Sequence, residues 1–458
     1  MDPRPVASPQ PARRCTREVL GAAMLVAGIT VLFAVGMRQA GHYSWINPLL
    51  HWLQLREAHD SWMPMRAALD YLANGGEAAE LYAHVFFGQG IKFQYPPTSL
   101  LALEWLDRAA GSTIGLRTLA RINAAMVLLN IVSCAALGAA LGRGSRVDRT
   151  GCLLLGGLGA LLAVCSFPLL RAASLGQVQV WINALFALAC LGWAGGRPVL
   201  TGMLLGAVVL LKPQFALFGL WGLWRREWRF LAGFCCVLGG GLALSLHRFG
   251  WDAHLAYVQV LRSLARTGEA FHANQSFNGL LNRWLETAPS LEWSANSFPA
   301  YHPLVHYGTT VSSVLLLGAC AVLLHAGRAA GRPSLLELQA VALAFTLASP
   351  IAWDHHYGIT PPVVLAAFAA VLAARAWPMA ALLAASWFLL ATPLSPLVEP
   401  WAAGPGSLLL SLQMAGAMLL LVVLLALVRR AGRQQPGRRP VAAPPHGAAD
   451  PLAFPRWS

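Results

Sequence analysis

Apolar runs divide the chain at residues 20–38, 118–141, 150–166, 178–194, 199–211, 213–224, 228–246, 305–326, 334–349, 360–374, 378–392 and 406–428. A helix needs about 20 apolar residues to cross the hydrocarbon core of a bilayer. The pattern predicts an all-α polytopic membrane protein with about 12 transmembrane helices over residues 20–428. Several runs are short, and the two flanking Lys212–Pro213 read equally as one broken or re-entrant element. The first run follows a basic tail, as in a signal peptide. It ends at Met37–Arg38 without a small-residue cleavage site and reads as a retained span.

Between the runs lie two long segments, 39–117 and 247–304, and loops of that size usually carry function. The first holds Tyr43, Trp45, Trp52, Trp62, Tyr71, Tyr82, Phe86, Phe87, Phe93 and Tyr95, which predicts juxtamembrane helices with aromatics at the bilayer surface. Within it, Thr98–Asp107 follows Pro96–Pro97 and is too short to span, so it reads as a surface helix. The tails, 1–19 and 429–458, are rich in Pro, Arg and Ala and read as disordered cytoplasmic segments.

Composition narrows the class. Hydrophobic residues make up 57% of the 458 and charged residues 11%, with a mean hydropathy of +0.56. A soluble domain carries about 25% charged residues. The net charge of +14 raises the question of nucleic acid, but its placement answers it. With the N-terminus inside, the inner segments hold 20 basic residues against 6 acidic, and the outer ones 12 against 13. That is the positive-inside asymmetry. The basic balance reports topology, with both termini cytoplasmic, and no basic-aromatic groove suggests a nucleic-acid partner. None of the eight cysteines falls in a long outer loop, and no zinc spacing or cofactor motif is present. No metal or cofactor is expected.

Under this topology the polar residues gather on the outer side, where ionisable groups near a membrane are candidates for function. His59–Asp60 follows the first run. Lys92 stands near Gln94–Tyr95–Pro96–Pro97. Arg171 precedes Gly176–Gln177, and Lys212–Pro213 ends the fifth run. Asn274–Gln275–Ser276 lies in the second long loop, and Trp353–Asp354–His355–His356 ends the ninth run. The chain has two lysines, Lys92 and Lys212, against 31 arginines, and both fall outside at apolar places. A compact ammonium there suits a phosphate oxygen. Snorkelling toward headgroups is the alternative. Adjacent helix positions point about 100° apart, so one of His355 and His356 is expected to face a ligand while the other packs or contacts solvent; which one stays open. Asp354 is placed to orient the active imidazole. Asn274–Gln275–Ser276 is also a glycosylation sequon, though a polar contact set is the preferred reading.

The ordered set resembles glycosyltransferase family 87, the polyprenol-phosphate-mannose-dependent mannosyltransferases with a GT-C fold. The stretches that carry the resemblance run from Asp60-Ser-Trp-Met-Pro-Met-Arg through Phe93-Gln-Tyr-Pro-Pro-Thr, Leu175-Gly-Gln-Val-Gln, Leu211-Lys-Pro-Gln and Arg225-Arg-Glu-Trp-Arg. They end with Asn274-Gln-Ser-Phe-Asn-Gly and Ser349-Pro-Ile-Ala-Trp-Asp-His-His-Tyr. Two departures stand out: Gln179 where the family commonly has Asn, and Pro64–Met65 where a Tyr is frequent. The resemblance implies a polyprenyl-phosphate sugar donor, a glycan or glycolipid acceptor, an active site on the outer face of the inner membrane, and Asp60 as base. It maps the late histidine to His355 or His356. The chemistry agrees, because an acceptor hydroxyl needs a general base and a departing lipid phosphate needs cations where charge develops. The expected site is therefore Asp60, His355 and His356 for catalysis, Lys212, Arg171 and Lys92 for the donor phosphate, and Tyr95, Gln177, Asn274, Gln275, Trp353 and Asp354 for substrate. An inverting single displacement follows. A secondary transporter or lipid flippase is the competing reading, and it would show internal repeats, which are absent here.

Overall fold

The computed structural model describes residues 11–145, 147–326 and 333–433. Residues 1–10 and 434–458 of the expected tails, with Arg146, Arg328 and Arg332, lie outside the described residues. Regular structure among the described residues is helical, with one isolated antiparallel bridge between Asn274 and Trp353. Every apolar run coincides in the main with helix, α or 3-10. Among the described residues, six helices are long and apolar enough to cross a membrane, or up to eight if each of two bent pairs is one span. The bent pairs are Arg149–Val164 with Phe167–Leu175 (48°) and Trp377–Ala391 with Ser395–Trp401 (86°). Gln179–Ala194, Pro198–Leu211 and Leu335–Leu347 are shorter apolar helices. The run 213–224 is a 3-10 turn, Pro213–Ala216, followed by Leu217–Arg225. The chain therefore breaks at Lys212–Pro213, where proline lacks the N–H to continue the helix ending at Leu211.

Small residues set how closely these helices pack. A Cβ on Gly202 would stand 2.0 Å from the carbonyl oxygen of Phe230, and one on Gly233 2.1 Å from that of Val199. Pro198–Leu211 and the helix beginning at Trp228 thus touch backbone to backbone, the close approach that small residues permit in membranes.

Three expectations change. Helix replaces the expected tail from Pro11 onward, in Pro11–Gln39. The run 228–246 does not end there, because helix continues as Trp228–Thr267, interrupted at Gly250 (φ 76°, ψ 170°). Ala253, Tyr257, Val260 and Leu264 form a buried stripe at helical spacing, which explains why this polar stretch is helical. The aromatics of 39–117 also divide. Tyr43 and Phe87 are exposed, but Trp62, Tyr82, Phe86 and Phe93 are buried. Tyr82 stacks on Phe93 at 5.3 Å, so the segment has an aromatic core of its own. Its helices are Ile46–Leu53, Trp62–Ala73 and Leu100–Ala110. Arg66 forms a two-pronged pair with Asp107 and donates to the carbonyl of Ile114 at 3.1 Å, joining the last two of these helices.

Candidate active site

Asp60 is placed by main chain. Its N–H donates to the carbonyl of Leu175 (3.0 Å), and the N–H of Ser61 to that of Gly176 (3.4 Å). Gly176 caps Phe167–Leu175 in the left-handed conformation, φ 72°. A Cβ there would lie 2.4 Å from the carbonyl oxygen of Ala58. Glycine alone meets both the positive φ and the close approach. The side chains then lock together. Gln177 Nε2 donates to Asp60 Oδ2. Ser61 Oγ donates to Gln177 Oε1 (2.7 Å) and accepts from the N–H of Val178 (3.0 Å). The Tyr95 hydroxyl lies 2.6 Å from Ser61 Oγ and 3.1 Å from Gln177 Oε1. Burial holds the Tyr95 phenol far above its ordinary pKa, so it stays a donor. Asp60 itself is exposed at the end of this buried chain of bonds.

A second cluster forms at the break after Leu211. Lys212 Nζ donates to Gln179 Oε1 (2.7 Å) and lies in hydrogen-bond contact with His356 Nε2. The other nitrogen of His356, Nδ1, accepts the N–H of Trp353 (3.1 Å), which fixes the ring. His355 Nδ1 meets Asp354 Oδ1 at 3.1 Å, while its Nε2 is buried with no hydrogen-bond partner among the described residues. A carboxylate accepts only, so Nδ1 carries the proton and Nε2 presents a lone pair. The two imidazoles sit edge to face, 4.9 Å apart, on a 3-10 turn, Asp354–Ile359. Each ring has its own polar partner, Lys212 for His356 and Asp354 for His355. Asp60 is close enough to act electrostatically on Arg171, Lys92 and His355, and Asp354 on Arg171. The Asp60 cluster is thus coupled electrostatically to the histidine turn through His355.

Other expected residues have partners within the protein. Asn274 is buried; its Oδ1 accepts from the N–H of Ala352 (3.0 Å) and from Ser276 Oγ (3.0 Å), and its Nδ2 donates to the carbonyl of Glu269 (2.9 Å). Gln275 Nε2 donates to the carbonyls of His272 (2.7 Å) and Leu410 (2.6 Å), and Oε1 accepts from Met414 N (3.0 Å). Asn274 clips the second long loop to the stretch before Asp354 and Gln275 clips it to the start of the helix Leu412–Arg433, so their polar groups face protein. Lys92 pairs with Glu269 at 2.8 Å, with both side chains buried. Its ammonium lies 4.0 Å from the Trp293 ring centre and 4.3 Å from that of Phe298. Burial draws the Lys92 pKa down, against the Glu269 carboxylate. Arg171 reaches the Tyr43 hydroxyl at 3.0 Å. Trp353 packs edge-on against Trp293 at 5.2 Å.

Ser61, Gln179, Glu269 and Trp293 are participants that sequence reasoning missed. Ser61 stands beside Asp60, and Gln179 registers only as a departure from the family's Asn, so position in a motif was the available signal. Glu269 and Trp293 gave none. No group of three or more His, Cys, Asp or Glu among the described residues is placed to hold a metal.

These features define a helical membrane protein with one polar cluster around Asp60 and a second around Lys212 and a histidine pair. The sequence model of glycosyltransferase family 87 matches residues 93–350, more than half of the chain. The chain belongs to glycosyltransferase family 87 and is a membrane glycosyltransferase. The match takes in Tyr95, Arg171, Gln177, Lys212, Asn274 and Gln275; Asp60 and Lys92 precede it, and Trp353–His356 follow it. Comparisons with curated proteins and with solved structures gave no match.

Proposed function

We propose that this GT-C-type enzyme moves a hexose, most simply mannose, from a polyprenyl-phosphate donor to a hydroxyl of a glycan or glycolipid. The reaction takes place on the outer face of the inner membrane, with both termini cytoplasmic. The arginine partition supports the orientation. Nucleotide sugars are absent outside that membrane, which favours a lipid-linked donor.

In the step, the acceptor oxygen attacks the anomeric carbon and its proton passes to Asp60. The carbon–oxygen bond to the phosphate breaks, inversion results, and polyprenyl phosphate leaves with the electron pair. Gln177 holds one Asp60 oxygen and leaves the other for the acceptor. Lys212, steered by Gln179 and His356, donates to a phosphate oxygen, and Arg171 supplies a cation. His355, oriented by Asp354, lends a basic nitrogen to the same neighbourhood. Lys92, Asn274, Gln275 and Trp353 act as positioning residues. The reading rests on one observation: a carboxylate locked by main chain and Gln177 is coupled electrostatically to His355, whose neighbour His356 contacts Lys212.

Membranes containing the protein, incubated with radiolabelled polyprenyl-phosphate-mannose, should yield a labelled lipid or glycan. Labelling from GDP-mannose alone, with none from the lipid-linked donor, would remove the proposed donor.

A further inference from the structure

Lys212 and His356 touch, and the hydrogens around that contact can be counted. His356 Nδ1 takes the main-chain N–H of Trp353 at 3.1 Å. A main-chain N–H only donates, so Nδ1 carries no proton. That excludes the imidazolium, which has an N–H at both nitrogens. The neutral ring carries its proton on Nε2, the atom in contact with Lys212 Nζ.

An N–H aimed at Nζ needs a lone pair there, and an ammonium has none. The contact is satisfied when Lys212 is an uncharged amine that accepts from His356 and donates to Gln179 Oε1 (2.7 Å). The far end of the Gln179 amide holds it in that sense, since Nε2 donates to Asn183 Oδ1 at 2.9 Å. Turning both amides over would aim a second N–H at Nζ, and an amine has one lone pair. The surroundings agree. The partners of Lys212 are a glutamine and a histidine, whereas Lys92 has the carboxylate of Glu269. The turn Asp354–Ile359 brings the titratable groups coupled to Lys212, which are His356 in contact and His355 beside it. Asp354 and Asp60 act in turn on His355. The helix Gln179–Ala194 brings no charged side chain, and neither does the turn Pro97–Ser99, which reaches the carbonyl of Leu210 through Thr98. A lysine at an apolar helix end without a carboxylate is stabilised as the neutral amine.

We propose that the resting protein keeps Lys212 as a neutral amine, held so by His356, and that a phosphate donor draws one proton onto it from solution as it binds. The negative phosphodiester favours the charged lysine. The new ammonium has no lone pair, so it leaves the His356 N–H and turns to a phosphate oxygen. No covalent bond other than the new N–H forms or breaks in this step, and the phosphodiester, already an anion, supplies no proton. The inference rests on the lipid-phosphate reading above and adds a role to it: His356 is a positioning residue that sets the charge on Lys212.

The chain has two lysines, so its side-chain nitrogens can be read directly. The test uses the full chain in lipid nanodiscs, with lysine labelled isotopically at the side-chain nitrogen and observed by magnetic resonance. Without donor, near neutral pH, the resonance that is lost in Lys212→Met should lie upfield, at the amine position. Saturating polyprenyl-phosphate-mannose should move it to the ammonium position. In His356→Gln, whose amide oxygen accepts from an ammonium, it should stand at the ammonium position before donor is added. Wild-type donor affinity should fall about tenfold for each pH unit above neutral, as uptake of one proton requires. The affinity of His356→Gln should stay level over the same range. An ammonium at Lys212 in the donor-free wild type overturns the proposal, whatever the variants do. An amine that survives in His356→Gln overturns the role given to His356. Saturable donor binding that leaves the amine unmoved overturns the proton uptake. An amine in a wild-type protein that binds no donor would instead overturn the lipid-phosphate reading and leave the neutral lysine standing.

Discussion

Asp60 shows how little of a side chain's position its own residue decides. Two main-chain bonds to Leu175 and Gly176 seat it, and Gln177 aims one of its oxygens. Asp60→Asn keeps size and removes the proton acceptor. Because the carboxylate is exposed, the variant should insert and fold as wild type while turnover falls roughly 10²–10⁴-fold, the usual contribution of a positioned base. Single-turnover transfer with saturating donor measures this, and near wild-type rates would take Asp60 out of the chemistry. Lys212 carries the second prediction at this scale. Lys212→Ala should weaken use of the lipid-linked donor about ten- to a hundredfold, the equivalent of a charge-assisted bond of roughly 1.5–3 kcal/mol. Lys212→Arg should recover only part, because a planar fork does not fit between Gln179 and His356 as a single nitrogen does. Donor titrations of the three proteins decide it; an unchanged Lys212→Ala would return the lysine to a snorkelling role.

Among elements, the long loops gain their order from each other. The ion pair of Lys92 and Glu269, closed over by Trp293 and Phe298, ties residues 39–117 to the segment after Thr267. Removing one partner of a buried pair strands the other charge and costs about 3–5 kcal/mol, whereas replacing both with apolar groups is often neutral. Glu269→Gln should therefore lower the melting temperature of the purified protein distinctly, and Lys92→Met with Glu269→Leu should restore most of it. If the double variant keeps stability but loses transfer, Lys92 has a part in the chemistry beyond holding the loops. The helix Trp228–Thr267 supplies the platform, with Tyr257 donating to the carbonyl of Gln94 at 3.2 Å.

At the scale of the whole molecule, orientation is the property on which the outer-face proposal turns. A thiol reagent that cannot cross the membrane should label a cysteine at exposed Arg262 and leave one at exposed Arg229 untouched. The reverse pattern would put the site on the cytoplasmic side, where nucleotide sugars are available, and would end the argument for a lipid-linked donor.

The chain's order alone determined its helices and its membrane class, and it is the source of the proposed outer face for its polar residues. These are local or additive properties: a helix bonds residue to residue four apart, a span is a count of apolar positions, and topology is a count of arginines. Even the unexpected helix after Gly250 is legible afterwards in its buried stripe of Ala253, Tyr257, Val260 and Leu264. Tertiary structure decided which polar atom meets which. Asn274 and Gln275 turn to backbone 76 to 139 residues away rather than outward. Lys92 is paired with a glutamate 177 residues on, and Lys212 finds His356 across 144. The two adjacent histidines divide, one to a lysine and one to an aspartate, because a 3-10 turn presents them to different neighbours. Residue type and spacing say that such groups need partners. Only the packing of helices distant in sequence, set by contacts such as those of Gly202 and Gly233, says which partners they have.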